Sequence, residues 1–185
     1  MVNNLPTDAV RSPEKVAKRL IVLYAVTATA HGTSAEEVTA WLDDVRLSTE
    51  ITPAEARYLA QRAPSKQEII DISWQTERVG MLLWCLGAAA LPPSDEPFQI
   101  GNVAIPPDDD RDVPAFIRDA RLRPDRELWS ISDHMLDVHW KARDAALRGE
   151  TSPGLDREII QERHHAINWV TGYNDLAWDD VTTDT

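Results

Sequence analysis

Apolar residues recur along most of this chain at the three- and four-residue spacing of an amphipathic helix, and recognisable helix-start residues interrupt the recurrence. Ser12-Pro13-Glu14 opens a first helix, with Ser12 as cap and Pro13 at the first helical position; it runs to about Ala30 and ends near Gly32. Ser34-Ala35-Glu36-Glu37, Thr52-Pro53-Ala54-Glu55 and Ser65-Lys66-Gln67-Glu68 each set a hydroxyl three residues ahead of a glutamate. That is capping-box spacing, and it starts a second helix, a short third one through Arg62 and a fourth over about 66–89. The second helix turns Val38, Trp41, Leu42 and Val45 inward. The later half of the fourth, Val79-Gly80-Met81-Leu82-Leu83-Trp84-Cys85-Leu86, is apolar on every side, which places it at the centre of a domain. Leu91-Pro92-Pro93 ends it.

The stretch 94–112 is irregular and carries an acidic run, Asp108-Asp109-Asp110. Phe98–Ile105 is compatible with a short β-hairpin, which would not change the fold class. A short helix over 113–121 leads into Pro124. Two longer helices follow, 125–148 and 155–171, and the short connection Gly149–Gly154 makes them pack antiparallel. On a wheel of about 100° per residue, His139 and Arg143 sit inside the apolar arc of the first, and Glu162 and Arg163 inside that of the second. Gln161, His164 and Asn168 take the polar side, and His165 lies near the edge. No repeat, low-complexity tract or domain boundary breaks the pattern. The expected fold is mainly α: a flexible arm over 1–11, then one domain over 12–185, an irregular bundle of six or seven helices. The 66–89 helix is central, with the 125–171 hairpin packed on it.

A hydrophobic content of 43% with only 7 glycines agrees with a helical globular chain. Nineteen basic residues against thirty-one acidic ones give a net charge of -12, which repels phosphate backbones and anionic membranes, so neither nucleic acid nor membrane is an expected partner. The single cysteine, Cys85, excludes an intrachain disulfide. The N-terminus shows no apolar core leading to a cleavage site, and the apolar runs Leu20–Ala30 and Val79–Pro93 are too short to span a bilayer. A cytoplasmic location is the expectation.

Counting back from the turn on both sides brings His139 and Arg143 near the level of Glu162 and Arg163. Glu77 shares a face with Ile70, Met81 and Trp84 and points into the same apolar layer. The expected cluster is therefore Glu77, His139, Arg143, Glu162 and Arg163, walled by Trp84, Trp140 and Trp169. Charges leave water only when paired and hydrogen-bonded, so Glu162 should pair with Arg143 or Arg163 through a bidentate fork. Two readings are open. One is a buried ion-pair network that fixes helix register, and it ranks first. The other is a pocket in which two arginines clamp a small anionic ligand and His139 or a carboxylate serves as acid or base.

Glu162 and His165 have the Glu-x-x-His spacing of di-iron bundles, but only one copy is present, and His134 and His139 do not share a face, so no metal site is expected. No Gly-x-Ser-x-Gly, Walker or dinucleotide motif occurs, and no cofactor is expected. Cys85 reads as a buried structural thiol. Trp178 lies in an acidic tail. Either the tail folds back, with its carboxylates on Arg143 or Arg163, or it is an exposed acidic and aromatic peptide that docks on another protein.

Three blocks are similar to the DUF4272 family, a bacterial family. The first is Ser73-Trp74-Gln75-Thr76-Glu77 with Leu83-Trp84-Cys85-Leu86-Gly87 and Leu91-Pro92. The second is His139-Trp140-Lys141-Ala142-Arg143-Asp144-Ala145. The third is Glu162-Arg163-His164-His165-Ala166-Ile167-Asn168-Trp169, with Trp178-Asp179-Asp180-Val181 and Asp184-Thr185. The resemblance spans roughly 66–185, is weaker in the first helix, and implies no activity. All five members of the expected cluster fall inside these blocks. The functional expectation is a cytoplasmic binding or interaction protein whose buried polar cluster holds a small anionic ligand, with a protein partner or homo-oligomer left open. The alternative is an enzyme of hydrolase type using His139 with Glu162 or Glu77 as acid and base.

Overall fold

The computed structural model describes residues 9–106 and 112–183. Eight α-helices follow one another among them: α1 (Pro13–Ala28), α2 (Ala35–Asp44), α3 (Pro53–Leu59), α4 (Lys66–Trp74), α5 (Thr76–Cys85), α6 (Val113–Asp119), α7 (Asp125–Leu147) and α8 (Arg157–Thr171). No strand occurs among the described residues. The class is mainly α as expected, and taking α4 and α5 as one run leaves seven helices. The two part at Gln75. Just ahead of it the Ser73 hydroxyl donates to the Ile70 carbonyl at 2.7 Å, a back-bond of the kind that bends helices.

Sequence-encoded caps account for most helix starts. Ser34, Thr52 and Ser65 form complete capping boxes, and the Ser12 hydroxyl accepts from the Lys15 N–H. Asp112 and Asp156 do the same for α6 and α8. In place of a hairpin over 98–105 there is a single 3-10 turn, Ile100–Asn102, between the buried side chains of Phe98 and Ile105. The reason is local. The Phe98 N–H donates to a Glu77 carboxylate oxygen at 2.8 Å instead of to a neighbouring strand. Its ring lies on Gly80, where an added Cβ would come within 2.5 Å of Phe98 Cγ. The acidic run Asp108–Asp110 lies outside the described residues.

The core is built from α1, α5 and α8. From Val16 to Thr27, α1 is buried almost throughout, and α5 is buried from Val79 to Leu83 and at Cys85. The last helix, α8, packs against α5 on one side and α7 on the other and is buried at every position from Arg163 to Thr171. Of the expected polar side of this helix, Gln161 is exposed, but His164 and Asn168 are a correction: His139 of α7 covers the first and the C-terminal segment the second. The Asn168 side-chain amide donates to the Thr182 carbonyl at 3.1 Å. No helix of the described residues is long and apolar enough to cross a membrane.

The end of α8 is tied to the start of the chain. Arg11 donates from its backbone to the Val170 carbonyl at 2.9 Å and from Nε to the Trp169 carbonyl at 2.8 Å. These carbonyls lie in the last turn of α8, where intrahelical partners run out. Residues 9–11, expected to belong to a loose arm, are therefore docked. Gly172 ends α8 in the left-handed region (φ +78°), and a Cβ there would sit 2.3 Å from the Ala9 carbonyl oxygen. Gly149 has a similar φ of +69° with nothing within 4 Å of such a Cβ. Gly149→Ala should therefore cost about 1 kcal/mol from backbone strain alone, and Gly172→Ala about 2 kcal/mol or more, since the Ala9 contact must also break. Urea unfolding of both variants measures the difference, and equal losses would mean that Ala9 is not held against α8.

Candidate functional site

The same dipeptide, Glu-Arg, occurs at 77–78 in α5 and at 162–163 in α8. The two helices pack side by side, and each glutamate meets the other helix's arginine. Glu77 pairs with Arg163, and Glu162 pairs with Arg78. This is a correction to the expected pairing of Glu162 with Arg143 or Arg163. Adjacent residues point about 100° apart on a helix, so Glu162 and Arg163 cannot share one partner set.

Arg163 is fully buried, and its five N–H donors are all used. Nε donates to Glu77 Oε2 at 3.0 Å, and Nη2 reaches the same oxygen at 2.9 Å. Nη1 donates to the Pro92 and Pro93 carbonyls at 2.8 and 2.9 Å, and Nη2 also to the Glu96 carbonyl at 2.8 Å. Glu77 spends its other oxygen on the Phe98 N–H. The pair pins the 92–98 loop onto α5 and α8. Arg163 has no donor left for an anion, so its expected clamp role is withdrawn.

His139 faces His164 across the α7–α8 hairpin, Nδ1 to Nδ1 at 3.0 Å with the rings edge to face. One ring must donate and the other accept, so the two hold opposite tautomers. Burial pushes the His164 pKa down to about 4, with His139 adding to the shift. Burial lowers that of His139 as well, helped by Arg143 and Arg157. Both rings are therefore neutral near neutral pH. Arg143 itself lies exposed on α7, and Trp140 on the same helix is 54% exposed. Trp84 is half-buried under the Arg123 guanidinium, 4.7 Å from its ring centre. Trp169 is buried against Trp178. Glu77, His139, Arg143, Glu162 and Arg163 thus divide among separate contacts, and Trp84, Trp140 and Trp169 form no common wall.

A different residue gathers polar groups. The tail folds back, leaving Trp178 only 6% exposed. Its ring meets the His165 ring at 4.9 Å and the Trp169 ring at 5.2 Å, both edge to face. The Arg19 guanidinium lies 5.1 Å from it and that of Arg78 5.9 Å. Among the described tail carboxylates, Asp175 lies 3.5 Å from Arg11 and Asp179 Oδ2 accepts from the Ala54 N–H at the start of α3, at 2.8 Å, while Arg163 is paired with Glu77. Arg19, in turn, is paired with Glu55.

Trp178 belongs to the walls of two cavities. One, of about 390 Å3, is lined by Arg11, Lys15, Arg19, Glu50, Trp169 and Asp175 among others. The second, of about 440 Å3, is lined by Glu55, Gln75, Arg78, Gln161, His165 and Asp179 among others. Each has beside it a buried polar atom without a hydrogen-bond partner, Arg19 Nε in the first and His165 Nε2 in the second. Burial pushes the His165 pKa down to about 2, with Arg78 next in effect.

These residues were readable only in part. Arg19 shares a face of α1 with Val16, Leu23 and Val26, and a charge on that apolar face signals a buried partner. The repeated Glu-Arg dipeptide is a second signal, and it identifies Arg78. Nothing local marks Trp178 as the meeting point. Cys85 is buried, and burial pushes its thiol pKa up. Among the described residues no three His, Cys, Asp or Glu side chains gather to hold a metal ion.

No curated protein and no solved structure matches the chain. A family model described as a domain of unknown function, DUF4272, matches residues 2–181, reaching well beyond the 66–185 span of the three sequence blocks. A match over nearly the whole length, as far as the tail that carries Trp178, means that the chain belongs to the DUF4272 family.

Proposed function

We propose that the chain is a binding protein for a small anionic ligand, held in the cleft between the first turns of α1 and the turn after α8. The observation that carries this reading is Arg19. It is 5% exposed and spends Nη1 on the Glu50 carbonyl and Nη2 on Glu55, yet its buried Nε has no partner. An unmet buried donor costs about 1–3 kcal/mol, which an acceptor on a ligand would recover. Lys15, one turn before Arg19, is exposed at the rim, and with Arg11, Lys18 and Arg19 it makes four cations against the carboxylates of Glu50, Glu55 and Asp175, which pair with the other three. On a chain of net charge -12 such a locally cationic cleft selects for an anion. Trp169 and Trp178 supply apolar walls for the rest of the ligand.

The ligand class is the one expected from sequence, while the residues change from Arg143 and Arg163 to Arg11, Lys15 and Arg19. Acid–base chemistry at His139 gains no support, because His139 meets a second neutral histidine, while Glu162 and Glu77 are each paired with an arginine. A buried, unpaired thiol as the single cysteine agrees with a reducing, cytoplasmic setting. The test is calorimetric titration with phosphate and with benzoate. At least one should bind saturably and more weakly as salt rises, and Lys15→Glu should weaken it about tenfold or more while leaving the melting temperature unchanged. Binding by K15E equal to wild type, or no saturable binding of either anion, overturns the proposal.

A further inference from the structure

We propose that the outward face of α7 pairs with the same face of a second copy of the chain, the two helices antiparallel about a two-fold axis. α7 packs chiefly on α8, and its inward arc runs from Leu128 through Met135 and Val138 to Ala145. A separate set of positions follows its outer side: Trp129, Asp133, Leu136, Trp140, Arg143 and Leu147, alternately four and three residues apart. That is the spacing of a coiled-coil seam, here about 27 Å long. Among the described residues the large apolar side chains that stay exposed are Ile70 and three members of this seam, Leu136, Trp140 and Leu147, at 46%, 54% and 79%. Trp129 is half-buried, and Asp133 and Arg143 are exposed. A continuous apolar stripe left in water on an outer helix is what a partner helix covers.

The two charges in the seam decide the partner and its direction. An axis midway between Leu136 and Trp140 sets Asp133 of each copy opposite Arg143 of the other, Trp129 opposite Leu147, and Leu136 opposite Trp140. Every layer is then apolar on apolar or acid on base, so the face is complementary to itself, as an isologous interface requires. A parallel pairing would set Asp133 on Asp133 and Arg143 on Arg143, and like charges across a seam disfavour it. Charges beside the seam cancel within α7: Lys141 pairs with Asp137 at 2.6 Å, and Arg148 with Asp144 at 2.7 Å. A chain of net charge -12 therefore offers here a face that does not repel a second copy. None of the residues lining the Arg19 cleft lies on α7, so the dimer stands or falls apart from ligand binding.

Sedimentation equilibrium from about 1 to about 200 µM measures the association. A seam one helix wide is a small interface, so the wild type is expected to pass from monomer to dimer within that micromolar range. Trp140→Glu should stay monomeric throughout. Asp133→Arg and Arg143→Asp should each weaken the dimer about tenfold or more, because both charged layers then carry like charges. The two substitutions move the net charge in opposite directions, so a loss in both is no effect of overall charge. Mixing D133R with R143D in equal amounts should restore the dimer, because every acid in the seam then faces a base. Melting curves check the fold of each variant, and D133R and W140E decide the matter if R143D melts early. A wild type that stays monomeric at the highest concentration, a dimer that W140E or D133R leaves intact, or a mixture of the two folded charge variants that stays monomeric overturns the proposal.

Discussion

Truncating Arg163 to alanine is expected to cost about 3–5 kcal/mol, the usual range for breaking a buried ion pair from one side. Two losses combine. Glu77 stays buried with a charge that only the Phe98 N–H still meets. The carbonyls of Pro92, Pro93 and Glu96 lose their guanidinium donors together. A typical domain has about 5–15 kcal/mol in all, so R163A should lie near the edge of folding. Arg163→Lys keeps the charge but cannot reach three carbonyls and a carboxylate at once, and should lose about 2 kcal/mol. Its loss should be local as well. Cleavage between residues 92 and 103 by a protease should speed up before global unfolding does, because that loop is what the guanidinium holds. Urea midpoints for R163A and R163K, with the slope unchanged, measure the ordering. An R163A protein within about 1 kcal/mol of wild type would show that the staple is dispensable.

The same residue marks how far the sequence could be read. Capping boxes, proline starts and the short Gly149–Gly154 connection are local signals, and they place the helices and the antiparallel hairpin correctly. Even the level count across the turn holds, since His139 does come opposite the 162–165 stretch, at His164. What failed is the assignment of sides. The wheel gives α8 a polar face because Gln161, His164 and Asn168 are polar, but from Arg163 onward the helix is enclosed by α5, α7 and the tail and has no solvent side. Its polar residues are instead satisfied one by one, His164 by His139 and Asn168 by the Thr182 carbonyl. The Glu-Arg dipeptides needed one further fact, that α5 and α8 are neighbours, and no local spacing supplies it. Trp178 is the extreme case. Its contacts reach back to Arg19 and Arg78, far away in sequence, so its position follows from the whole packing and from no motif.

Lowering the pH from about 7.5 to about 5 is expected to remove about 4 kcal/mol of stability through His164 and His165 alone, about 2 kcal/mol from each. In the unfolded chain both titrate at the ordinary value of 6.5, whereas in the folded chain they stay neutral down to about 4 and about 2. Between those values the unfolded state binds more protons than the folded one. Stability is therefore complete above about pH 6.5 and is lost as the pH falls toward the folded values. His139 acts in the same direction, since burial lowers its pKa too, and a charge on either member of the Nδ1–Nδ1 pair would face its partner at 3.0 Å. Carboxylates titrate lower, near pH 4, so a midpoint that drops already between pH 6.5 and 5 belongs to the histidines. Urea unfolding at a series of pH values gives the slope. His164→Asn should flatten it by about half while costing stability at pH 7.5, because an amide keeps a hydrogen bond to His139 but cannot be protonated. A wild-type midpoint that stays level to about pH 5 would mean that these rings are already charged, or already wet, in the folded protein.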